Sequence, residues 1–230
     1  MLTPTSPGTS LYPHLLSSLK VGRTTLRNRM IMGSMHTRLD MEDNGVHKMA
    51  VFLAERAKGE IGLIITGGYA PNSAGLIEPG GPILTERAQA RELRRITDAV
   101  HQHGGKVCMQ VLHSGRYSKQ RDCVGPSDIP TRINRFPPRA MTGAEIEQTI
   151  SDYVRCALLA KEAGFDGIEI MGSEGYLINQ FTVVRTNNRT DEWGGSEQNR
   201  HRLAVELVKR SRSATGDDFI IVYRISALDR

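Results

Sequence analysis

The fold of this chain is decided by the stretch Ile-Glu-Ile-Met-Gly-Ser-Glu-Gly-Tyr-Leu-Ile-Asn, residues Ile168 to Asn179. It begins as a short apolar run typical of a buried strand and continues as a polar loop that contains glycine and Tyr176. In a β/α barrel, the loops that follow the carboxyl ends of the strands build the functional site. The stretch therefore predicts a strand that delivers Tyr176 to the mouth of a barrel. The alternative is a buried tyrosine whose hydroxyl is satisfied by a neighbour.

The rest of the chain alternates between short apolar runs and helical patterns. The predicted strands are Met30–Met35, Ile61–Thr66, Val107–Leu112, Gly167–Met171 and Phe219–Ile225. The predicted helices are His47–Lys58, Glu86–His103, Ala144–Ala163 and Glu197–Ser213. Thr142 and Glu145 have the spacing of a capping box at the start of the third helix. Strands that alternate with helices and run in parallel form either an open doubly wound sheet or a closed barrel.

Two features favour the barrel. The segment Gly33–Arg38 after the first strand lacks the G-x-G-x-x-G pattern that a dinucleotide-binding sheet uses at this place. Polar residues or glycines also recur at the strand ends, as a site on one face of a barrel requires. These residues are Ser34, His36, Gly67, Gly68, Gln110, His113, Glu174, Tyr176 and Arg224. The chain supplies about five strand–helix units, so the fold class is an α/β, TIM (β/α)8-type barrel that is incomplete.

Composition excludes several other kinds of protein. The net charge of +5 comes from basic residues scattered among 25 acidic ones, and only 5% of residues are aromatic, so nucleic acid is not an expected partner. An anionic small molecule, such as a phosphorylated cofactor or a coenzyme A ester, suits this charge equally well. The three cysteines, Cys108, Cys123 and Cys156, lack the spacing of a disulfide framework, a metal site or an iron–sulfur site. No apolar run is long enough to cross a membrane, so a soluble, cytoplasmic protein is expected.

Several motifs, in their order along the chain, resemble those of the flavin-dependent Old Yellow Enzyme family. The chain is most similar to the amino-terminal barrel of the bacterial 2,4-dienoyl-CoA reductases within it, and the likeness extends from about Leu11 to Asp229. The motifs are Leu26–Arg29, Met32–Thr37, Gly67–Gly68, Gln110–Arg116, Met171–Phe181 and Arg185–Gly195. The resemblance implies that residues 1–230 are the amino-terminal part of an FMN-binding β/α barrel.

The same resemblance implies a set of FMN contacts at the barrel mouth. They are Ser34, Met35 and His36 along the edge of the isoalloxazine, Gly68 close to the ring, Gln110 on the pyrimidine edge, and Arg224 near N1 and C2. Each role is chemically reasonable. Glycine lets the backbone approach a flat ring, an amide can both donate and accept, and a cation near N1 stabilises negative charge on the reduced ring. Taken alone, Arg224 could equally form a structural ion pair.

The implied reaction is the reduction of a conjugated C=C bond in a 2,4-dienoyl-CoA thioester of fatty acid β-oxidation, with NADPH as the electron source. Hydride would come from flavin N5 and a proton from Tyr176, while Arg185 and Glu174 would contact the acyl-CoA substrate. The simpler enone reductases place a donor pair where this chain has Met171 and Glu174. Methionine donates no strong hydrogen bond and an ionised glutamate only accepts, so the thioester reductase is favoured. His113 is expected to be structural, because its motif serves structure in the family.

Three alternatives remain open at the level of the sequence. The chain is part of a dienoyl-CoA reductase; or it is another flavin oxidoreductase of the superfamily, such as an enone reductase, a trimethylamine dehydrogenase-like enzyme or an NADH oxidase-like enzyme; or it is an inactive fragment. The resemblance implies that the longer relatives also carry a 4Fe-4S cluster and FAD. Residues 1–230 contain no sequence motif that would bind the cluster, FAD or NADPH.

Overall fold

The computed structural model describes residues 11–228 and contains nine strands and five α-helices within them. The strands are β1 (Leu19–Val21), β2 (Thr24–Leu26), β3 (Ile31–Met32), β4 (Leu63–Tyr69), β5 (Val107–Val111), β6 (Val124–Gly125), β7 (Arg139–Ala140), β8 (Gly167–Gly172) and β9 (Ile220–Ile225). The helices are α1 (Gly45–Lys58), α2 (Arg87–His101), α3 (Gly143–Glu162), α4 (Leu177–Thr182) and α5 (Glu197–Thr215).

One parallel sheet, in the order β3-β4-β5-β8-β9, carries the architecture. A helix follows each of the first four strands of the sheet, which is the arrangement of successive units of a β/α barrel. Because the strands run in the same direction, their carboxyl ends meet along one edge of the sheet. The loops that follow β3, β4, β5, β8 and β9 therefore lie on the same side of the molecule.

Alternation along the strands divides the sheet residues between two apolar clusters. Ile64, Met109 and Ile168 belong to the large cluster that packs against the helices. Leu63, Ile65 and Cys108 belong to a smaller cluster with Leu26 and Ile220, where the hairpin of β1 and β2 covers the sheet. Successive side chains of a strand point to opposite faces. Gln110 shares its face with Cys108, so it points away from the helices and into the interior of the barrel.

The predicted strands and helices are present, with corrections at their ends. β3 covers only Ile31–Met32 of the predicted Met30–Met35, because only these two residues pair with Leu63 and Ile64 of β4. β4 extends to Tyr69, so Gly67 and Gly68 lie inside the strand and not in the loop after it. Its pairing with β5 is irregular between Ile65 and Gly68. The hairpin of β1 and β2, the short strand pair of β6 and β7, and the short helix α4 were not predicted.

The cysteines occupy the positions that their surroundings in the sequence indicate. Cys108 is buried in β5 and Cys156 is buried in α3, as predicted for small core residues. Cys123 is buried beside β6 and is also a free thiol. Between residues 11 and 228, no helix is both long enough and apolar enough to span a bilayer.

Candidate active site

A buried polar cluster lies at the carboxyl ends of the central strands. Gln110 on β5 pairs in register with Glu169 on β8, and both are buried. The Gln110 Nε2 atom donates to Glu169 Oε1 and to Ser34 Oγ, each at 2.7 Å. The amide oxygen of Gln110 is also buried and has no hydrogen-bond partner in the structure. A buried acceptor without a partner is costly, so this oxygen points to a ligand that donates a hydrogen bond.

Arg224 on β9 adds a cation to this cluster. It pairs in register with Met171 on β8, and its Nη1 atom lies 3.5 Å from Ser34 Oγ. Its Nη2 atom lies 2.5 Å from Glu174 Oε1 in the loop after β8. Glu174 holds the left-handed conformation, with φ 59°. The ion pair that the sequence left as an alternative role for Arg224 is present, and one guanidinium nitrogen still reaches the polar cluster.

Tyr176 stands at the N-terminus of α4 and lines a cavity of about 240 Å³. The lining also includes His36, Gly68 and Leu112. A Cβ atom on Gly68 would lie 2.9 Å from Gln110 Oε1, so this glycine allows close packing where the cavity meets the buried polar cluster. Predicted residues from four strand ends are therefore brought together in one region.

The environment of Tyr176 favours its neutral form. Its pKa is raised, mainly by burial, and further by the nearby Glu174 and Tyr117, while Arg224 acts in the opposite direction. The Tyr117 ring meets the Tyr176 ring edge-on, with 6.0 Å between the centroids. A phenol that keeps its proton at neutral pH can act as an acid and not as a base.

His113 is buried and bonds to the loops after β5 and β8. Its side chain is buried, and burial lowers its pKa to about 3, so the ring is neutral at physiological pH. Its Nδ1 atom accepts a hydrogen bond from the Gly115 backbone N–H at 3.1 Å. Its carbonyl oxygen accepts from the N–H of Leu177, which fixes the chain immediately after Tyr176. The Nε2 atom of His113 is buried without a hydrogen-bond partner among the described residues, and the structural role of His113 stays a prediction.

The remaining predicted site residues lie nearer the surface. Met35 is 47% exposed, and its carbonyl oxygen approaches Gly67. Arg185 is exposed in a 3-10 turn after α4 and is not among the residues that line the cavity with Tyr176. Glu174 contacts Arg224, and this pairing limits the carboxylate oxygens that a substrate could meet.

Sequence reasoning missed several residues that the structure adds to the site. Glu169 is the partner of Gln110, and Tyr117 contacts Tyr176. Arg38 and Lys119 line the cavity and both form ion pairs with Glu78 at its rim. Only Glu169 carried a local signal, because a charged residue inside a buried apolar strand requires a reason.

These residues fit FMN, on the evidence of the site itself. The isoalloxazine ring has a pyrimidine edge with one N–H donor flanked by carbonyl acceptors. The unpartnered oxygen of Gln110 suits that donor, and Arg224 suits the acceptor atoms and any negative charge that develops on them. Within residues 11–228, no group of three or more His, Cys, Asp or Glu side chains is arranged to hold a metal ion.

Comparison with known proteins places this barrel among the flavin-dependent oxidoreductases. The sequence pattern of the NADH:flavin oxidoreductase / NADH oxidase family matches residues 14–230, and the chain belongs to that family, the Old Yellow Enzyme family. The predicted family is thereby confirmed, and membership implies FMN as the cofactor.

Two relatives illustrate the extent of the match. An NADH oxidase from Thermoanaerobacter brockii is 35% identical over 94% of this chain and 34% of its own length. An NADPH dehydrogenase from Geobacillus sp. (strain WCH70) is 37% identical over 94% of this chain and 64% of its own length. The chain thus spans about a third of the first relative and just under two thirds of the second.

Solved structures give the same result for the fold. A 2-naphthoyl-CoA reductase in complex with 2-naphthoyl-CoA superposes with a TM-score of 0.85 at 31% identity, covering 93% of this chain and 35% of that one. Morphinone reductase in complex with tetrahydroNAD superposes with a TM-score of 0.83 at 29% identity, covering 93% and 64%. The predicted incomplete TIM (β/α)8-type barrel is confirmed.

Proposed function

We propose that this chain provides the flavin- and substrate-facing part of an enzyme that reduces a conjugated C=C bond in 2,4-dienoyl-CoA thioesters. The observation that carries the proposal is the juxtaposition of two features. One is the buried polar cluster of Ser34, Gln110, Glu169 and Arg224, and the other is the cavity lined by Tyr176. Gly68 lies between them, beside the Gln110 oxygen and on the cavity wall.

Different residues of the chain bind the cofactor and donate the proton. Reduced FMN, when bound, supplies the hydride. Gln110, Arg224 and Ser34 hold and orient the cofactor, and Met35, His36 and Gly68 border it. Tyr176 donates its phenolic proton to the carbon next to the thioester as negative charge develops there. Positioned general acids contribute roughly 10²- to 10⁴-fold to a rate.

The loop after β5 supports an anionic substrate. Residues 116–139 contain six basic and two acidic residues, while the whole chain contains 30 and 25. Arg121 and Arg135 lie over the Phe136 ring at 5.3 and 5.7 Å from its centroid. The side-chain amide of Asn134 donates to the carbonyl oxygens of Arg116 and Ser118, which folds this loop against Tyr117 beside Tyr176. Phosphate groups of a coenzyme A thioester would be attracted to such a surface.

The loop after β8 argues against an enone reductase. Binding the carbonyl oxygen of an enone requires strong hydrogen-bond donors, and Met171 and Glu174 provide none. Glu174 is moreover engaged by Arg224. Arg185, exposed in the 3-10 turn after α4, is proposed to contact the acyl-CoA, together with Glu174.

An anaerobic reoxidation experiment tests the proposed function. The FMN-loaded enzyme is reduced with dithionite and mixed with a 2,4-dienoyl-CoA, with cyclohexenone or with oxygen, while the flavin absorbance is followed. Reoxidation by the dienoyl-CoA is expected to be at least about tenfold faster than by cyclohexenone at equal concentration, the ratio that 1.4 kcal/mol of extra transition-state stabilisation gives. Faster reoxidation by cyclohexenone would favour an enone reductase, and reoxidation by oxygen alone would favour an NADH oxidase.

We also propose that residues 1–230 form the amino-terminal part of an FMN-binding barrel within a longer protein. The strands β3 and β9 form the two edges of the sheet, and each has one neighbour among the described residues. Side chains at both edges are apolar and exposed, namely Ile31 at 56% and Ile225 at 71%. Such edges are normally covered. The share of the relatives' length that the chain spans agrees with this arrangement.

A further inference from the structure

Glu169 is a buried carboxylate for which the reaction described above has no use. It lies in β8 between Ile168 and Ile170, which both pack on the helix side, so its own side chain points into the barrel. It is 6% exposed. A carboxylate placed so deeply requires a hydrogen-bond partner, and the partner in the structure is the Gln110 amide.

The chemistry of this pair fixes the orientation of the Gln110 amide. An ionised carboxylate has only acceptor atoms, so the amide must turn its NH2 group, and not its oxygen, toward Glu169. The two oxygens would otherwise face each other across 2.7 Å. The second N–H of the same NH2 group is taken by Ser34 Oγ, also at 2.7 Å.

Both hydrogens of the Gln110 amide are thus used inside the protein. The atom left for a ligand is the oxygen, which is buried and has no partner in the structure. On the pyrimidine edge of an oxidised isoalloxazine, N3–H is the one group that donates a hydrogen bond. The remaining atoms of that edge accept.

We propose that Glu169 is a positioning residue that locks Gln110 as an acceptor, so that Gln110 receives a hydrogen bond from flavin N3–H. This inference rests on the FMN site of the proposed function. In this role, Glu169 determines whether the oxygen or the NH2 group of the Gln110 amide points toward the cofactor. Without the carboxylate, the amide could rotate by half a turn and present its NH2 group to N3–H, which would be repulsive.

The experiment uses the complete protein loaded with FMN that carries ¹⁵N at N3. In the wild type, the N3–H proton resonance is expected to be sharp and protected from exchange with solvent. In Glu169→Gln, the protection is expected to fall at least about tenfold and the FMN dissociation constant to rise about tenfold, the size expected for a lost hydrogen bond to a buried acceptor. Glu169→Leu, which also leaves the amide free to turn, should behave in the same way.

Two internal references separate positioning from simple loss of structure. Glu55→Gln changes an exposed carboxylate on α1 and should leave N3–H protection unchanged. The backbone amides of β5 and β8, recorded in the same samples, should keep their protection in both Glu169 variants. Full N3–H protection in both Glu169 variants would overturn the proposal for Glu169 alone. Failure of the wild type to bind FMN would overturn the FMN site together with it.

Discussion

At the scale of single residues, the loop after β8 places Glu174 and Tyr176 where both interact with Arg224 of β9. Glu174 holds Arg224 at 2.5 Å, and Tyr176 follows two residues later with its ring against Tyr117. The pKa of Tyr176 is raised by burial first and then by Glu174. Glu174 therefore pairs with Arg224 and also adds to the rise in the pKa of Tyr176 that burial causes.

Removal of the Tyr176 hydroxyl tests its proposed role as an acid. We expect Tyr176→Phe to slow reoxidation of the reduced enzyme by dienoyl-CoA about 100-fold or more, because a positioned acid is lost. FMN affinity should change little, because no hydrogen bond from the Tyr176 hydroxyl to the buried polar cluster is seen among residues 11–228. Stopped-flow absorbance and FMN fluorescence titration measure the two quantities.

Tyr117→Phe is the matched control, because it removes a phenol hydroxyl from the neighbouring ring and keeps the edge-on contact. Its reoxidation rate should stay within about threefold of the wild type, a difference of under 1 kcal/mol in the barrier. An unaltered rate in Tyr176→Phe would remove Tyr176 from the mechanism.

At the scale of elements, α3 shows how local sequence fixes a boundary. Thr142 Oγ1 accepts from the Glu145 N–H at 3.2 Å, and Glu145 Oε2 accepts from the Thr142 N–H at 2.8 Å, which completes the predicted capping box. The helix then carries Asp152, whose carboxylate accepts a hydrogen bond from Asn72 in the loop after β4. The cap therefore sets the register of a helix that supports a loop near the site.

Loss of the cap should be measurable as a change in stability. We expect Thr142→Ala to lower the free energy of unfolding by about 1 kcal/mol, because an N-cap acceptor is removed. Chemical denaturation followed by circular dichroism measures the change. Ser151→Ala, within the same helix, removes a hydroxyl that only bonds back to the Glu147 carbonyl oxygen, and it should change stability by less than about 0.5 kcal/mol. Equal effects of the two substitutions would contradict the cap assignment.

Glu145 links the same boundary to pH. Its hydrogen bonds with Arg139, first, and with Thr142 lower its pKa from 4.5 to about 2. A carboxyl whose pKa is depressed on folding stabilises the fold above its unfolded value and loses that contribution as pH falls through the folded value. We therefore expect the stability difference between the wild type and Glu145→Gln to shrink as pH falls from about 4.5 to about 2, measured by denaturation at each pH. A constant difference across this range would contradict the shift.

At the scale of the whole molecule, positive charge is concentrated beside the barrel mouth. The loop of residues 116–139 combines its basic excess with contacts that lead to Tyr117 and Tyr176. Within this loop, Lys119 and Arg139 are paired with Glu78 and Glu145, while Arg121, Arg132 and Arg135 are exposed. On the helical face, Arg210 is paired with both Glu147 and Glu206. A charged substrate would therefore be attracted toward the site and not toward the helical face.

The loop predicts a dependence of substrate binding on charge and salt. We expect Arg121→Gln combined with Arg135→Gln to raise the KM for a dienoyl-CoA about three- to tenfold at low salt, with a smaller effect at high salt, because exposed charges are screened. The KM for the corresponding pantetheine thioester, which lacks the nucleotide phosphates, should not change. Arg87→Gln on α2 serves as the control for a charge on the helical face. An equal increase in KM for both thioesters would show that the loop does not bind the phosphate groups.

The sequence by itself determined the alternation of strands and helices. The spacing of apolar residues, the helix-capping residues and the glycines at helix ends are local signals, and each segment contains its own. The sequence also supplied the ordered motifs that identify the family. Strand ends were predicted less well, because they depend on pairing with a neighbouring strand: β3 ends where its pairing with β4 ends, and Gly67 and Gly68 belong to β4 and not to the loop after it. The helix α4 is too short to show a period of its own.

Only the tertiary structure decided which polar groups meet. The hydrogen-bonded pairs among Ser34, Gln110, Glu169 and Arg224 lie between 59 and 190 residues apart along the chain. The Gln110–Glu169 pair depends on β5 and β8 lying side by side in register, and the contact of Arg224 with Ser34 depends on the curl of the sheet, which brings β9 near the segment that follows β3. Register is fixed by the packing of the alternating apolar residues on both faces of the sheet, and a single segment contains no information about its neighbour's phase. For this physical reason the sequence predicted Gln110 and Arg224 as site residues. The pairing of Gln110 with buried Glu169 and the ion pair of Glu174 with Arg224 were found only in the folded chain.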